Sequence, residues 1–261
     1  MRIHCWFIVM LLLISLHFQR AVAQSVTIKE IKCLPDKKHY NTTEATLIYP
    51  VVSTKNTAGK LINAFIKTAI VEKETEDSTV STRQGLKDMA ANGLINLSYE
   101  VTFNKNNILS LNIFQEGCGA HCSSWNTYFN FDTRTGKAIT IEDIISKNNI
   151  ADFTKMVLKD KQKALTLYKT EEKEELNSKA IDSSEYDWAI REVDDYCFKS
   201  VDISNFSLSD TGIAIMDGCE FPNAIKSQSP SYNLSYLYTT LSVSLHPQLK
   251  KRLLPSPTPQ H

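Results

Sequence analysis

Five residues in one short stretch carry side chains suited to recognition: Gly119, His121, Trp125, Asn126 and Tyr128. They lie in and just after the run Cys118-Gly119-Ala120-His121-Cys122. A histidine on a loop beside aromatics can stack on and hydrogen-bond a glycan or a protein partner, because held aromatic and polar groups form the usual recognition set. The same pattern fits a structural role, in which a buried His121 satisfies backbone groups and braces the turn. Trp125, Tyr128 and Phe129 alternate along an extended segment, so at least one of them belongs to the core.

Cys118, His121 and Cys122 would also suit a soft metal, but zinc wants a fourth ligand and usually a different spacing. No metal and no cofactor is expected. The chain lacks a G-x-S-x-G elbow, S-x-x-K, H-E-x-x-H and a P-loop. Gly117-Cys118-Gly119 departs from the dinucleotide fingerprint, because Cys122 stands where that motif needs glycine. Glu116, Asp132 and Asp143 are isolated carboxylates, and a glycosidase pair is recognised only by its separation. No catalytic residue is assigned.

The start of the chain bears on where such chemistry would operate. Arg2 and His4 precede an apolar run from Cys5 to Phe18, then Gln19, Arg20 and Ala21-Val22-Ala23. That order predicts a secretory signal peptide over residues 1–23, cleaved before Gln24, with a periplasmic or secreted product and no membrane span afterwards. Removing Arg2 and Arg20 from the 29 basic residues leaves 27 against 29 acidic ones. Such a balance argues against nucleic acid as a partner. The remaining cysteines are Cys33, Cys118, Cys122, Cys197 and Cys219, an odd set that in an oxidising compartment implies two disulfides and one free thiol. Asn41, Asn96, Asn205 and Asn233 stand in glycosylation sequons, which matter only in a host that glycosylates.

The elements that must position the loop follow from periodicity. Residues 26–34 and 44–52 read as strands, and Leu61, Ile62, Phe65, Ile66, Ala69 and Ile70 define the core face of a helix over 57–72. Residues 73–93 read as loop with one helical turn near Leu86. Leu97 to Phe103 and Leu109 to Ile113 alternate around Asn104-Lys105-Asn106-Asn107, a hairpin signal. A strand from Trp125 to Phe131 ends in a turn at Gly136, and another strand starts at Ala138. Thr140 and Asp143 approximate a capping box. A long helix covers 150–176, its Lys155, Lys159, Lys163 and Glu171 to Glu175 forming a solvated face, and a shorter one covers 184–196. A hairpin turns at Asp210-Thr211-Gly212, a long strand runs from Tyr232 to Val243, a closing segment spans 245–254, and a Pro-rich tail occupies 255–261. The fold class is α+β: an antiparallel sheet with helices packed on one face and inserted between hairpins.

The segment from Gly117 to Ile145, GCGAHCSSWNTYFNFDTRTGKAITIEDII, resembles the extracytoplasmic domain of RsiV-type anti-sigma factors, also found beside the catalytic domain of PdaC-type peptidoglycan deacetylases. Upstream, Tyr49-Pro50-Val51-Val52 and Leu61-Ile62-Asn63 resemble the region that precedes it there. The resemblance implies a PdaC-like region over 24–115 and an RsiV-type domain over 116–254. It departs from the family at the turn, commonly Gly-Gly-Ala-His-Pro, where Cys122 takes the proline position. There is neither a region to hold a sigma factor nor a deacetylase domain, so the resemblance implies the sensor or binding half alone. The expected function is ligand binding in the envelope, with cell-wall glycan or a lysozyme-like protein as partner; the alternative is a hydrolase of envelope polysaccharide or peptidoglycan. Oligomeric state is not readable from the sequence.

A bridge from Cys118 to Cys122 would close a very small loop around Gly119, and Cys197 and Cys219 flank the Asp210-Thr211-Gly212 turn at similar distances. These spacings favour 118–122 and 197–219 with Cys33 unpaired. A competing arrangement ties Cys33 to the turn.

Overall fold

The computed structural model describes residues 25–34, 46–53, 56–119, 121–222 and 228–254. The expected signal peptide and the tail lie outside the described residues. Five strands form the main sheet in chain order: β1 (Thr27–Cys33), β2 (Thr46–Ser53), β3 (Leu94–Lys105), β4 (Ile108–Cys118) and β5 (Cys122–Asp132). All neighbours are antiparallel except β2 and β3, which run parallel through Thr46↔Asn96 and Leu47↔Leu97. The fold is α+β, as expected, and the otherwise antiparallel sheet contains this one parallel pair. A parallel pair needs a crossover. It is made here by α1 (Thr57–Lys67), which continues through a wide π-type turn at Thr68–Glu72 into Lys73–Thr75, and by α2 (Thr82–Ala91).

Both helices lie on one face of the sheet. Ile62, Ile66 and Ile70 are fully buried against Leu47, Leu97, Leu109, Leu111, Ile113 and Phe131. Leu61 and Phe65 do not share that burial: Phe65 is 47% exposed and rests edge-on against Phe129 and Phe131, 6.1 and 5.5 Å between ring centres. The helical stripe is therefore narrower than the periodicity implied. Asn63 fixes α1 to β2, its amide accepting from Val52 N–H at 2.8 Å and donating to Val52 C=O at 2.9 Å. The full helix α2 replaces the expected loop. Gly85 lies inside it because a Cβ there would stand 2.2 Å from Val71 Cγ1, so the glycine serves close helix packing.

The turn between β3 and β4 is the two-residue Asn106-Asn107 type, with φ of 55° and 60°. Gly136 closes the turn after β5 at φ 77°, its backbone against Ala58 of α1. No strand begins at Ala138, which makes only an isolated bridge to Phe131. Asp143 accepts from the Thr140 N–H at 2.9 Å and opens the short α3 (Ile141–Ile144).

The rest of the chain covers one end of the opposite sheet face. The long helix α4 (Ile150–Ser178) is followed by α5 (Ser183–Glu192), which widens at Val193–Cys197. A small sheet of β6 (Phe206–Leu208), β7 (Gly212–Ile215) and β8 (Leu234–Leu237) is followed by α6 (Pro247–Leu253). Asn130 donates to Phe206 C=O at 2.8 Å, and Ser110 Oγ accepts from Leu208 N–H at 3.1 Å, tying β6 to the main sheet. The expected long strand over 232–243 stops at Leu237, and Tyr238, Leu241 and Leu245 turn inward to fill the core. Along α4 the buried positions are Phe153, Val157, Lys161, Leu165 and Glu172. Glu172 thus leaves the expected solvated face, and burial, with Glu175 nearby, pushes its carboxyl upward.

Residue 115 lies inside β4, so the regions expected over 24–115 and 116–254 contribute to one sheet.

Candidate ligand-binding cleft

The tip of the β4–β5 hairpin carries the loop that the sequence singles out. The ladder runs without a break from Ile108↔Asp132 to Cys118↔Cys122. The last pair is joined by a disulfide, with Cα atoms 4.0 Å apart. Gly119 N–H donates to His121 C=O at 3.1 Å across the mouth of the loop. Both sulfurs are consumed in this bond, which leaves no thiolate for a metal. Among the described residues no group of three or more His, Cys, Asp and Glu is placed to hold one.

The tip is fastened to the end of α2. Cys118 N–H donates to Gly93 C=O at 2.8 Å, and Gly93 adopts φ 101°. A Cβ on Gly93 would stand 2.3 Å from Cys118 O, so this approach requires glycine. Between the two elements lies a cleft of about 240 Å³, walled by Met89, Leu94 and Trp125 and rimmed by Glu74, Asn92 and His121. The far edge of the Trp125 ring lies over Gly117, where a methyl group would stand in ordinary contact at 3.4 Å. Trp125 is half-buried and packs against the main core. Its indole N–H has no acceptor among the described residues.

Gly119, His121 and Trp125 therefore share the cleft, and Gly119 and His121 are both exposed. Asn126 and Tyr128 do not join them. Side chains alternate along a strand, and Trp125, Phe129 and Phe131 belong to the helix-covered face. Asn126 and Tyr128 project from the other face, Tyr128 in register with Asn112 and, one strand further, Glu100. Burial, and then the Glu100 charge, push the Tyr128 hydroxyl upward.

Sequence reasoning did not pick out Glu74, Met89 or Asn92, which come from the crossover between β2 and β3. Chemically, the cleft offers an apolar wall with one aromatic ring, one exposed imidazole and one carboxylate.

The second disulfide joins Cys197 to Cys219 with Cα atoms 5.5 Å apart, and Cys33 is a buried free thiol. Beside that bridge, Lys161 pairs with Asp217 at 2.6 Å and donates to Ser200 C=O at 2.9 Å, with 4% of its side chain exposed.

The architecture has solved counterparts. A DUF3298 family member from Bacteroides fragilis superposes with a TM-score of 0.53 at 15% identity, over 89% of this chain and 98% of that one. A DUF3298 family protein from Pseudomonas aeruginosa gives 0.54 at 13% identity, over 90% and 99%. These likenesses concern the fold alone. No family model and no curated protein matches the chain.

Proposed function

We propose that this chain is the ligand-binding, sensor-type domain of an exported envelope protein, of the RsiV-type and PdaC-associated kind, and that it contacts cell-wall glycan or a lysozyme-like protein through the cleft beside His121. The observation that carries the reading is the half-buried Trp125 on the wall of a cleft that it shares with an exposed His121, on a loop closed by the Cys118–Cys122 bond. An aromatic face with a hydrogen-bonding rim is the usual way to hold a sugar ring or a partner side chain at little entropic expense. The fold likeness to DUF3298 proteins and the Gly117 to Ile145 segment support the family assignment. Two disulfides support an oxidising compartment, periplasmic or extracellular. No helix among the described residues is long and apolar enough to cross a membrane.

Sedimentation with insoluble peptidoglycan, and capture on immobilised lysozyme, test this reading. Saturable retention on one of the two is expected, weakened about tenfold by Trp125→Ala, since an aromatic contact contributes up to about 1.5 kcal/mol. His121→Ala removes an exposed side chain and leaves the core intact, so loss of retention in that variant reports on the cleft. Absence of retention on both supports overturns the proposal. Released sugar or acetate would assign the cleft to an envelope hydrolase, for which Glu74 is the carboxylate that shares the cleft with His121.

A further inference from the structure

The larger concavity lies elsewhere, at the far end of the main sheet. It encloses about 780 Å³ between the turn after β5 and the helix α6. That volume falls in the range of small-molecule sites, whereas the cleft beside His121 is smaller. Its charged lining consists of Arg134, Lys137, Lys251 and Arg252 against Asp132 and Asp143.

The carboxylates are already engaged. Asp132 accepts from Arg134 Nη2 at 2.6 Å and from Arg252 Nη1 at 2.8 Å. Asp143 accepts from the Thr140 N–H at 2.9 Å and the Thr140 hydroxyl at 3.3 Å. Arg252 is equally committed, its other donors holding Asn106 and Asn107 C=O at 2.9 and 2.6 Å. Lys137 and Lys251, by contrast, are exposed and form no ion pair among the described residues, and the Arg134 side chain is 57% exposed. His246 lines the same space, its Nδ1 facing Gln248 N–H at 3.4 Å. Positive charge thus remains in excess around a concave space, on a chain whose formal net charge is zero. The whole-protein field does not create this attraction; the local arrangement does.

We infer that this second cleft binds a ligand with at least two negative charges, carried by phosphate or carboxylate groups, through Lys137, Lys251 and the outer edge of Arg134, with His246 on the same lining. Arg134 is bound to Asp132 through Nε and Nη2 and offers its outer Nη1 edge, and the two lysines act as point charges.

Calorimetric titration of the intact domain with pyrophosphate and, separately, with citrate at low salt tests the inference. Binding at one site per chain is expected, falling as salt is raised. The double variant Lys137→Ser, Lys251→Ser should bind at least tenfold more weakly with an unchanged melting temperature, because neither lysine holds another part of the fold. His121→Ala should leave this binding untouched, which separates the site from the cleft proposed above. Tighter pyrophosphate assigns phosphate as the ligand chemistry, and tighter citrate assigns carboxylate. Absence of binding to both anions, or equal binding by wild type and double variant, overturns the inference.

Discussion

Asp132→Asn tests the joint between α6 and the sheet. The carboxyl stands at the end of β5 with 14% of its side chain exposed, between Arg134 and Arg252. Burial works to raise it, but the hydrogen bonds from Arg134 and the charge of Arg252 prevail and hold it down from 3.8 to about 2. At about 1.4 kcal/mol for each pH unit, that gap is worth roughly 2.5 kcal/mol of folding free energy. The Arg134 side chain is 57% exposed, so water screens its share and about 2 kcal/mol is the better expectation. The sign follows from the direction. The folded value lies below the unfolded one, so the stabilisation is complete above about pH 4 and is lost as pH falls toward 2. Urea unfolding followed by tryptophan fluorescence at pH 7 should therefore show the variant weaker by about 2 kcal/mol, or about 4–8 °C in melting temperature. Near pH 2 the two curves should converge. A deficit that persists undiminished at pH 2, or one below about 0.5 kcal/mol at pH 7, refutes the reasoning.

Phe65→Ala should destabilise by about 1–2 kcal/mol in the same assay, less than the 3–5 kcal/mol typical of a buried phenylalanine, because the ring is half-exposed and keeps only its edge contacts. Removing the Cys197–Cys219 bridge by paired serine substitutions should lower stability by roughly 3 kcal/mol, and removing Cys118–Cys122 by roughly 2 kcal/mol or less, since the first spans 22 residues and the second 4. Calorimetric melting should rank them in that order, and the reverse ranking would show that strain outweighs chain entropy. Lys161→Met should cost about 3–5 kcal/mol by leaving Asp217 buried without its counter-charge, and adding Asp217→Leu should recover most of the loss.

The parts of this fold that were legible in the sequence are those whose cause is local. Asn106-Asn107 declares a tight hairpin because both residues tolerate positive φ, and Gly136 and the Thr140-Asp143 box mark their turns for equally local reasons. What escaped depends on contacts made at a distance. Gly85 sits in a stretch that reads as loop until Val71 is seen to occupy the space a side chain would need. Glu172 reads as a surface charge until α4 is packed against its neighbours. Tyr238 and Leu241 fall in the segment read as a strand, yet their three-residue spacing, continued to Leu245, serves a run of turns that dips into the core. At the cleft, Gly119, His121 and Trp125 are adjacent in sequence and so were visible. Glu74, Met89 and Asn92 reach them only through the crossover. Alternation also explains why Asn126 and Tyr128, though neighbours of Trp125 in the chain, face away from it.

Arg252 gives the molecule a dependence on the order in which it is made. Its guanidinium holds Asn106, Asn107 and Asp132 across separations of 146, 145 and 120 residues, and Asn106 returns a bond to its carbonyl at 2.6 Å. A ribosome releases the hairpin turn long before it releases the side chain that locks it. During synthesis the far edge of the sheet is therefore open, its turn carbonyls wet and Asp132 held by Arg134 alone. This corner of the sheet closes only once α6 has been made and packed against it.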